Sequence, residues 1–71
     1  KRKIMQIFQE RLKELRIASN LSARELANKI GVSFVAIYKW EKGERMPNLE
    51  NLVALAKYFK VSIDYLCGLE D

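Results

Sequence analysis

The segment SFVAIYKW in the middle of the chain contains more apolar side chains than the buried side of one surface helix can hold. Ile37 and Trp40 are three positions apart, so they can share a side that packs into a core. Phe34, Val35 and Tyr38 cannot all join them. Lysines lie close by, so the remaining surface combines apolar groups with positive charge. Such a surface suits contact with a polyanion or with an apolar patch on another protein.

Little other chemistry is available in the 71 residues. The chain has no histidine, which excludes histidine-based metal sites and histidine acid–base catalysis. Its single cysteine, Cys67, has no partner for an internal disulfide, and its place near the end of an apolar helix indicates a packed or half-exposed thiol. A chain this short has little room for a sizeable pocket. We therefore predict that the protein is not an enzyme, with no catalytic residue, metal or cofactor.

Positive charge is concentrated in the front of the chain. The formal net charge is +4 and the isoelectric point about 9.4. The first 60 residues carry 13 basic and 6 acidic side chains, whereas the last eleven contain no Lys or Arg. No apolar run approaches the ~18 residues of a membrane span, and no signal-peptide pattern is present, which predicts a cytoplasmic protein without a membrane partner. The opening Lys1, in place of Met, is compatible with a piece of a longer protein.

Apolar periodicity predicts five helices and no strand, and therefore one all-α domain over residues 1–71. Helix one spans about residues 4–18, and helix four begins after a cap at Asn48. A last short helix begins after Ser62 and ends at Gly68. The inward-facing positions expected in helix one are Ile4, Phe8, Leu12 and Leu15. Those expected in helix four are Leu49, Leu52, Val53, Ala56 and Phe59.

The strongest pattern covers residues 22–42 and fits two short helices that pack across a tight turn. A Ser–Glu capping box marks the start of the first helix. Ala27 is small where the second helix must cross the first, and Gly31 supplies the residue that a left-handed turn requires. The second helix runs over about residues 34–42, after a cap at Ser33.

The segments that carry a family resemblance are RLKELR, LSARELANKIGVS, IYKWEKGERMPNLENLVALAKYF and VSIDYL. Together they resemble the Cro and phage-repressor type of helix-turn-helix domain, often called the XRE family, from about Phe8 to Gly68. The resemblance implies a compact five-helix, lambda-repressor-like DNA-binding domain in a bacterial or phage transcriptional regulator, more often a repressor. It implies a double-stranded DNA operator and a second copy of the chain, in a homodimer, as partners. Helix 34–42 would be the recognition helix in the major groove.

The resemblance also assigns two sets of structural residues. Arg16 at the end of helix one and Glu41 at the end of helix three are expected to form a partly buried ion pair. The alternative is that they are two unrelated surface charges. The last helix and its tail are expected to contact the second subunit through Ile63, Leu66 and Leu69.

The residues expected to contact base edges are Ser33, Phe34, Val35 and Lys39. Phe34 and Val35 cannot make hydrogen bonds to bases, but they can meet the C5-methyl group of thymine, which predicts a thymine-rich half-site. Lys39 suits a guanine or a nearby phosphate. Similar proteins commonly carry Gln after the cap of helix two, where this chain has Ala23, and Arg24 is a candidate to replace it. The residues expected at phosphates are Ser22, Arg24, Tyr38, Lys42, Arg45 and Asn48.

Two alternatives keep the same fold. The chain could be the antitoxin of a toxin–antitoxin pair, or a protein-interaction module that uses the exposed apolar side chains and has lost DNA binding. The basic front of the chain favours DNA over a protein partner. Operator sequence, regulated genes, effector and sign of regulation cannot be deduced from this sequence.

Overall fold

In the computed structural model, which describes residues 3–70, the chain forms five α-helices and no strand within that range. Helix α1 spans Ile4–Ala18, α2 Ala23–Ile30, α3 Phe34–Glu41, α4 Leu49–Phe59 and α5 Ile63–Cys67. The predicted all-α, five-helix fold is therefore confirmed. The end of α3 lies one residue earlier than predicted, because Lys42 caps this helix. No helix among the described residues is long and apolar enough to cross a membrane.

Polar residues just before four of the helices explain where these helices begin. The side chains of Ser22, Ser33, Asn48 and Ser62 accept hydrogen bonds from backbone N–H groups three residues later, at 3.0, 3.2, 2.8 and 2.9 Å. Each bond satisfies an N–H group that has no partner inside the helix, as the sequence predicted. At the other end of α2, Gly31 adopts a left-handed conformation with a φ of 77°.

The core lies where the five helices meet. α2 packs against α3 and α4, while α1 packs against α3 and α5. The buried apolar side chains are Phe8, Leu12, Leu26, Ala27, Ile37, Trp40, Leu55, Ala56 and Leu66. No polar or charged residue is buried among residues 3–70. The core is therefore held by apolar contact, at about 1.5–3 kcal/mol for each large side chain that is fully buried.

Two predicted core positions are wrong. Ile4 is half exposed and Leu49 is 71% exposed. Each is the first residue of its helix, so its side chain lies at the edge of the bundle. Leu55, which the apolar spacing had not selected, is the fully buried residue of α4. Apolar spacing therefore identifies the inner side of these helices but not how far along the helix the core extends.

Leu66 is a third correction. The resemblance assigned it to the dimer contact, but its side chain is fully buried in the core of its own chain. A side chain without exposed surface cannot contact a second subunit, so this role is wrong. Ile63 is partly buried against the same core, whereas Leu69 is exposed and remains available.

Arg11, for which no role was predicted, ties α1 to the C-terminal end of the described residues. Its Nη1 donates hydrogen bonds to the carbonyl oxygen of Tyr65 and, at 2.7 Å, to that of Glu70. Its guanidinium carbon also lies 4.2 Å from the centre of the Tyr65 ring. The guanidinium thus holds α1 to the last turn of α5 and to the residues after it, and it shares the carbonyl oxygen of Tyr65 with the N–H of Gly68.

Gly68→Ala should cost more stability than Gly31→Ala, although both glycines have positive φ. A Cβ on Gly68 would lie 2.6 Å from Cδ1 of Ile7, whereas a Cβ on Gly31 would meet nothing within 4 Å. We expect a loss of about 1 kcal/mol for Gly31→Ala, from backbone strain alone. For Gly68→Ala we expect about 2–3 kcal/mol, because Ile7 must also move. Urea unfolding of both variants measures the difference, and equal losses would contradict the expected crowding.

Candidate nucleic-acid interface

The turn between α2 and α3 holds the two helices at a close crossing. The N–H groups of Gly31 and Val32 both donate to the carbonyl oxygen of Ala27, at 2.9 and 3.0 Å. Ala27 is buried, and its small side chain lets the two helices approach. Ile37 and Trp40 of α3 are buried as well. The buried side chains of α3 therefore hold the helix in place, and this determines where its exposed side lies.

The outer side of α3 is formed by Phe34, Val35, Tyr38, Lys39 and Lys42. Phe34, Val35 and Tyr38 are all exposed, which confirms that these apolar side chains stay out of the core. Lys42 is also exposed, whereas Lys39 is partly covered. Water contacts a large apolar area here, and burial of that area by a partner would be favourable.

One edge of this outer side is a row of two aromatic rings between two cations, which we call the aromatic row: Arg24, Phe34, Tyr38 and Lys42. The guanidinium carbon of Arg24 lies 4.6 Å from the centre of the Phe34 ring, and the two ring centres are 6.3 Å apart. Nζ of Lys42 lies 5.1 Å from the centre of the Tyr38 ring and donates a hydrogen bond of 3.2 Å to the Tyr38 hydroxyl. This hydrogen bond raises the pKa of Lys42, so the ammonium group stays charged at neutral pH.

The other edge borders a pocket of about 330 Å³ between α3 and the start of α4. The site residues that the pocket brings together are Ser33, Val35, Lys39, Arg45 and Asn48. Ser33 and Asn48 are the N-caps of α3 and α4, so two helix N-termini with partial positive charge lie at its wall. Lys39 and Arg45 also line the pocket, and their positive charges make it a favourable place for an anion.

The start of α2 is a less favourable place for an anion than the sequence suggested. The N–H of Ser22 donates to Oε1 of Glu25 at 2.8 Å, and the Ser22 hydroxyl oxygen accepts from the N–H of Glu25 at 3.0 Å. The backbone hydrogen bond from Ser22 lowers the pKa of Glu25, so this carboxylate is charged at neutral pH. A phosphate at Ser22 would meet this negative charge, although the hydroxyl can still donate one hydrogen bond.

The end of α3 is tied to the end of α1 by an ion pair between Arg16 and Glu41. Nε of Arg16 lies 2.6 Å from Oε2 of Glu41, and Nη2 lies 2.9 Å from Oε1. The side chains are 16% and 11% exposed. The remaining Nη1 of Arg16 donates to the carbonyl oxygen of Leu21 at 2.8 Å. The hydrogen bond with Glu41 raises the pKa of Arg16, and the guanidinium links α1, the following loop and α3.

Cys67 and the acidic residues form no second site among the described residues. Cys67 is partly buried, and desolvation raises the pKa of its thiol, which disfavours the reactive thiolate. Residues 3–70 contain no group of three or more Cys, Asp or Glu side chains that could hold a metal ion.

Comparison with known proteins places this geometry in a family. A helix-turn-helix family model matches residues 12–66. The chain belongs to the helix-turn-helix family. Among helix-turn-helix proteins it is 44% identical over 64 residues, or 90% of its length, to the transcriptional activator BcrR of Enterococcus faecalis. It is 43% identical over 61 residues, or 86% of its length, to the cryptic phage CTXphi transcriptional repressor RstR of Vibrio cholerae.

The solved helix-turn-helix structures include the P22 c2 repressor in complex with a synthetic operator. It is 40% identical to this chain with a TM-score of 0.84, and the match covers 89% of this chain and 96% of that one. The expected similarity to phage repressors is therefore confirmed. The chain spans 31% of BcrR and 54% of RstR, so it matches about a third to a half of these curated relatives.

Proposed function

We propose that this chain binds double-stranded operator DNA in a sequence-specific way, as the DNA-binding part of a transcriptional regulator. The observation that carries the proposal is the outer side of α3, where exposed Phe34 and Tyr38 belong to a row that ends in cations and exposed Val35 lines a cationic pocket. The operator complex of the similar P22 c2 repressor supports it. We propose repression as its effect, since a bound domain can block other proteins from the same DNA. Such a regulator acts in the cytoplasm, where its DNA is.

In this proposal the N-terminal part of α3 enters the major groove and meets base edges there. Phe34 and Val35 pack against C5-methyl groups of thymine. Ser33, at the start of the helix, can reach a base edge or a phosphate, and Lys39 can donate to a guanine. The groups that hold the DNA backbone are Arg45 and Asn48 at the α3–α4 pocket and Tyr38 and Lys42 on the opposite edge.

Selection of bound duplexes from a random DNA pool tests the function directly. We expect enrichment of one motif with a thymine run at its centre, and of two copies spaced by one DNA turn, about 34 Å. Failure to enrich any duplex over the starting pool at low salt would overturn the proposal. It would favour a protein-interaction module that uses the same exposed apolar residues.

Replacement of thymine by uracil in the selected duplex should weaken binding at the positions that meet Val35 and Phe34. Affinity should fall about fourfold for each methyl group removed, which corresponds to the ~0.8 kcal/mol that burial of one CH₂ group contributes. Val35→Ala should remove the sensitivity at one position, because the side chain that covers that methyl is gone. Titrations with each single uracil duplex measure the effect. Equal affinity for all of them would exclude methyl contacts.

We also infer that two copies bind the operator together, with Leu69 and Ile63 near their contact. Leu69 is an exposed apolar residue just after α5, and the partly buried Ile63 is the first residue of that helix. Leu69→Asp should therefore weaken self-association, measured by sedimentation with and without a two-site duplex. Ile17→Asp is the matched control, because Ile17 is also an exposed apolar residue but lies on α1. Sedimentation of the unaltered chain as a monomer even on the two-site duplex would contradict the dimer.

A further inference from the structure

We propose that Arg24 contacts a guanine at one end of the half-site and that Phe34 is the residue that positions it. This inference rests on the proposed binding of double-stranded DNA and assigns Arg24 to a base instead of a phosphate. It adds a guanine to the motif, next to the thymines that Phe34 and Val35 contact.

The contact between the two side chains carries the inference. Arg24 is the second residue of α2, but its guanidinium carbon lies 4.6 Å from the centre of the Phe34 ring on α3. A guanidinium that lies over an aromatic ring is attracted to the face of that ring. Its N–H groups lie in the plane of the guanidinium, so they remain able to donate at its rim. The stack therefore limits the freedom of the Arg24 side chain without using its hydrogen bonds.

The position of Phe34 favours a base as the partner. Phe34 is the first residue of α3, and the first residues of a recognition helix are those that come closest to base edges. A guanidinium held over this ring is carried to the same end of the helix. A planar pair of N–H donors matches guanine, which offers O6 and N7 as two adjacent acceptors in the major groove. Adenine presents an amino donor in place of O6, and thymine presents a single acceptor.

The charges on the two edges of α3 then define an order of bases. Arg24 lies on the edge of the aromatic row, and Lys39 lies at the pocket on the opposite edge. Val35 also lines that pocket, while Phe34 belongs to the row. The half-site expected from this arrangement has a guanine beside the thymine run on the Arg24 side.

The experiment uses duplexes selected by the unaltered chain and replaces each guanine in turn. 7-Deazaguanine removes N7, whereas inosine keeps O6 and N7 and removes only the minor-groove amino group. We expect 7-deazaguanine to lower affinity about tenfold at one guanine next to the thymines, and inosine at that position to have no effect. Arg24→Ala should bind the guanine and 7-deazaguanine duplexes with equal affinity at that position, because no donor to N7 remains.

Phe34 variants separate positioning from methyl contact. Phe34→Leu keeps an apolar side chain but has no ring surface, so it should lose the sensitivity to 7-deazaguanine while it keeps sensitivity to uracil. Phe34→Tyr should restore the sensitivity to 7-deazaguanine, because a ring is again present. Phe34 is exposed, so these variants leave the core intact.

Three results would overturn the inference while the proposed DNA binding stands. The first is a selected motif without guanine beside the thymines. The second is full sensitivity to 7-deazaguanine at every guanine in Arg24→Ala, with only a weaker dependence of affinity on salt, which would make Arg24 a phosphate contact. The third is unchanged sensitivity in Phe34→Leu. If the unaltered chain selects no duplex at all, the proposed function itself fails.

Discussion

Glu41→Ala should lower the free energy of unfolding by about 2–3 kcal/mol, because it leaves Arg16 charged and mostly covered without its partner. The chain has 71 residues, and chains of this size have only a few kcal/mol of stability. The loss would therefore be a large part of the total. Urea unfolding of the two chains at neutral pH measures it.

Glu44→Ala is the matched control for this prediction. Glu44 also lies near a cation, Lys42, but at 4.0 Å, and both side chains are about half exposed. We expect no measurable change, because water and salt screen such a pair. A double variant in which Arg16→Met accompanies Glu41→Leu should recover stability, because no uncompensated charge remains. If Glu41→Ala unfolds at the same urea concentration as the unaltered chain, the ion pair does not contribute to the stability of the fold.

Affinity for a selected two-site duplex should fall about 10²-fold when salt rises from 50 to 200 mM. The proposed dimer neutralises about four phosphates, two on each half-site, and each adds about 0.9 to the slope of log affinity against log salt. Lys42 and Arg45 are the cations expected at the backbone in each subunit. Substitution of either by Gln should make the slope shallower by about two, because each change occurs in both subunits.

Lys13→Gln is the control for the salt prediction. Lys13 is an exposed cation on α1 and takes no part in the aromatic row or the α3–α4 pocket. Its removal should leave the slope unchanged. A nearly flat dependence of affinity on salt in the unaltered chain would contradict backbone contact and favour a protein partner for the outer side of α3.

Features that depend on a few neighbouring residues could be predicted from the sequence. The Ser22 cap, the Gly31 turn and the buried Ile37 and Trp40 follow from local hydrogen bonding and helical spacing, and all four are present. The exposure of Leu49 could not be predicted in this way, because it depends on where neighbouring helices end.

Contacts between residues that are far apart in the sequence were harder to predict. Arg16 and Glu41 are 25 positions apart, and family resemblance suggested their pairing where spacing could not. The stack of Arg24 on Phe34 went unpredicted, because it depends on the angle at which α2 and α3 cross. A cation near the start of one helix and an aromatic residue at the start of the next were the available signal, but many such pairs never meet.

The division of α3 into an inner and an outer side has a consequence for how such proteins diversify. Ile37 and Trp40 hold the helix in the core, while Phe34, Val35 and Tyr38 contribute little to that packing. Substitutions on the outer side are therefore close to neutral for folding, so target preference can drift without a loss of stability that must be repaired. Proteins with this architecture can change the target they recognise one residue at a time, while the core stays intact.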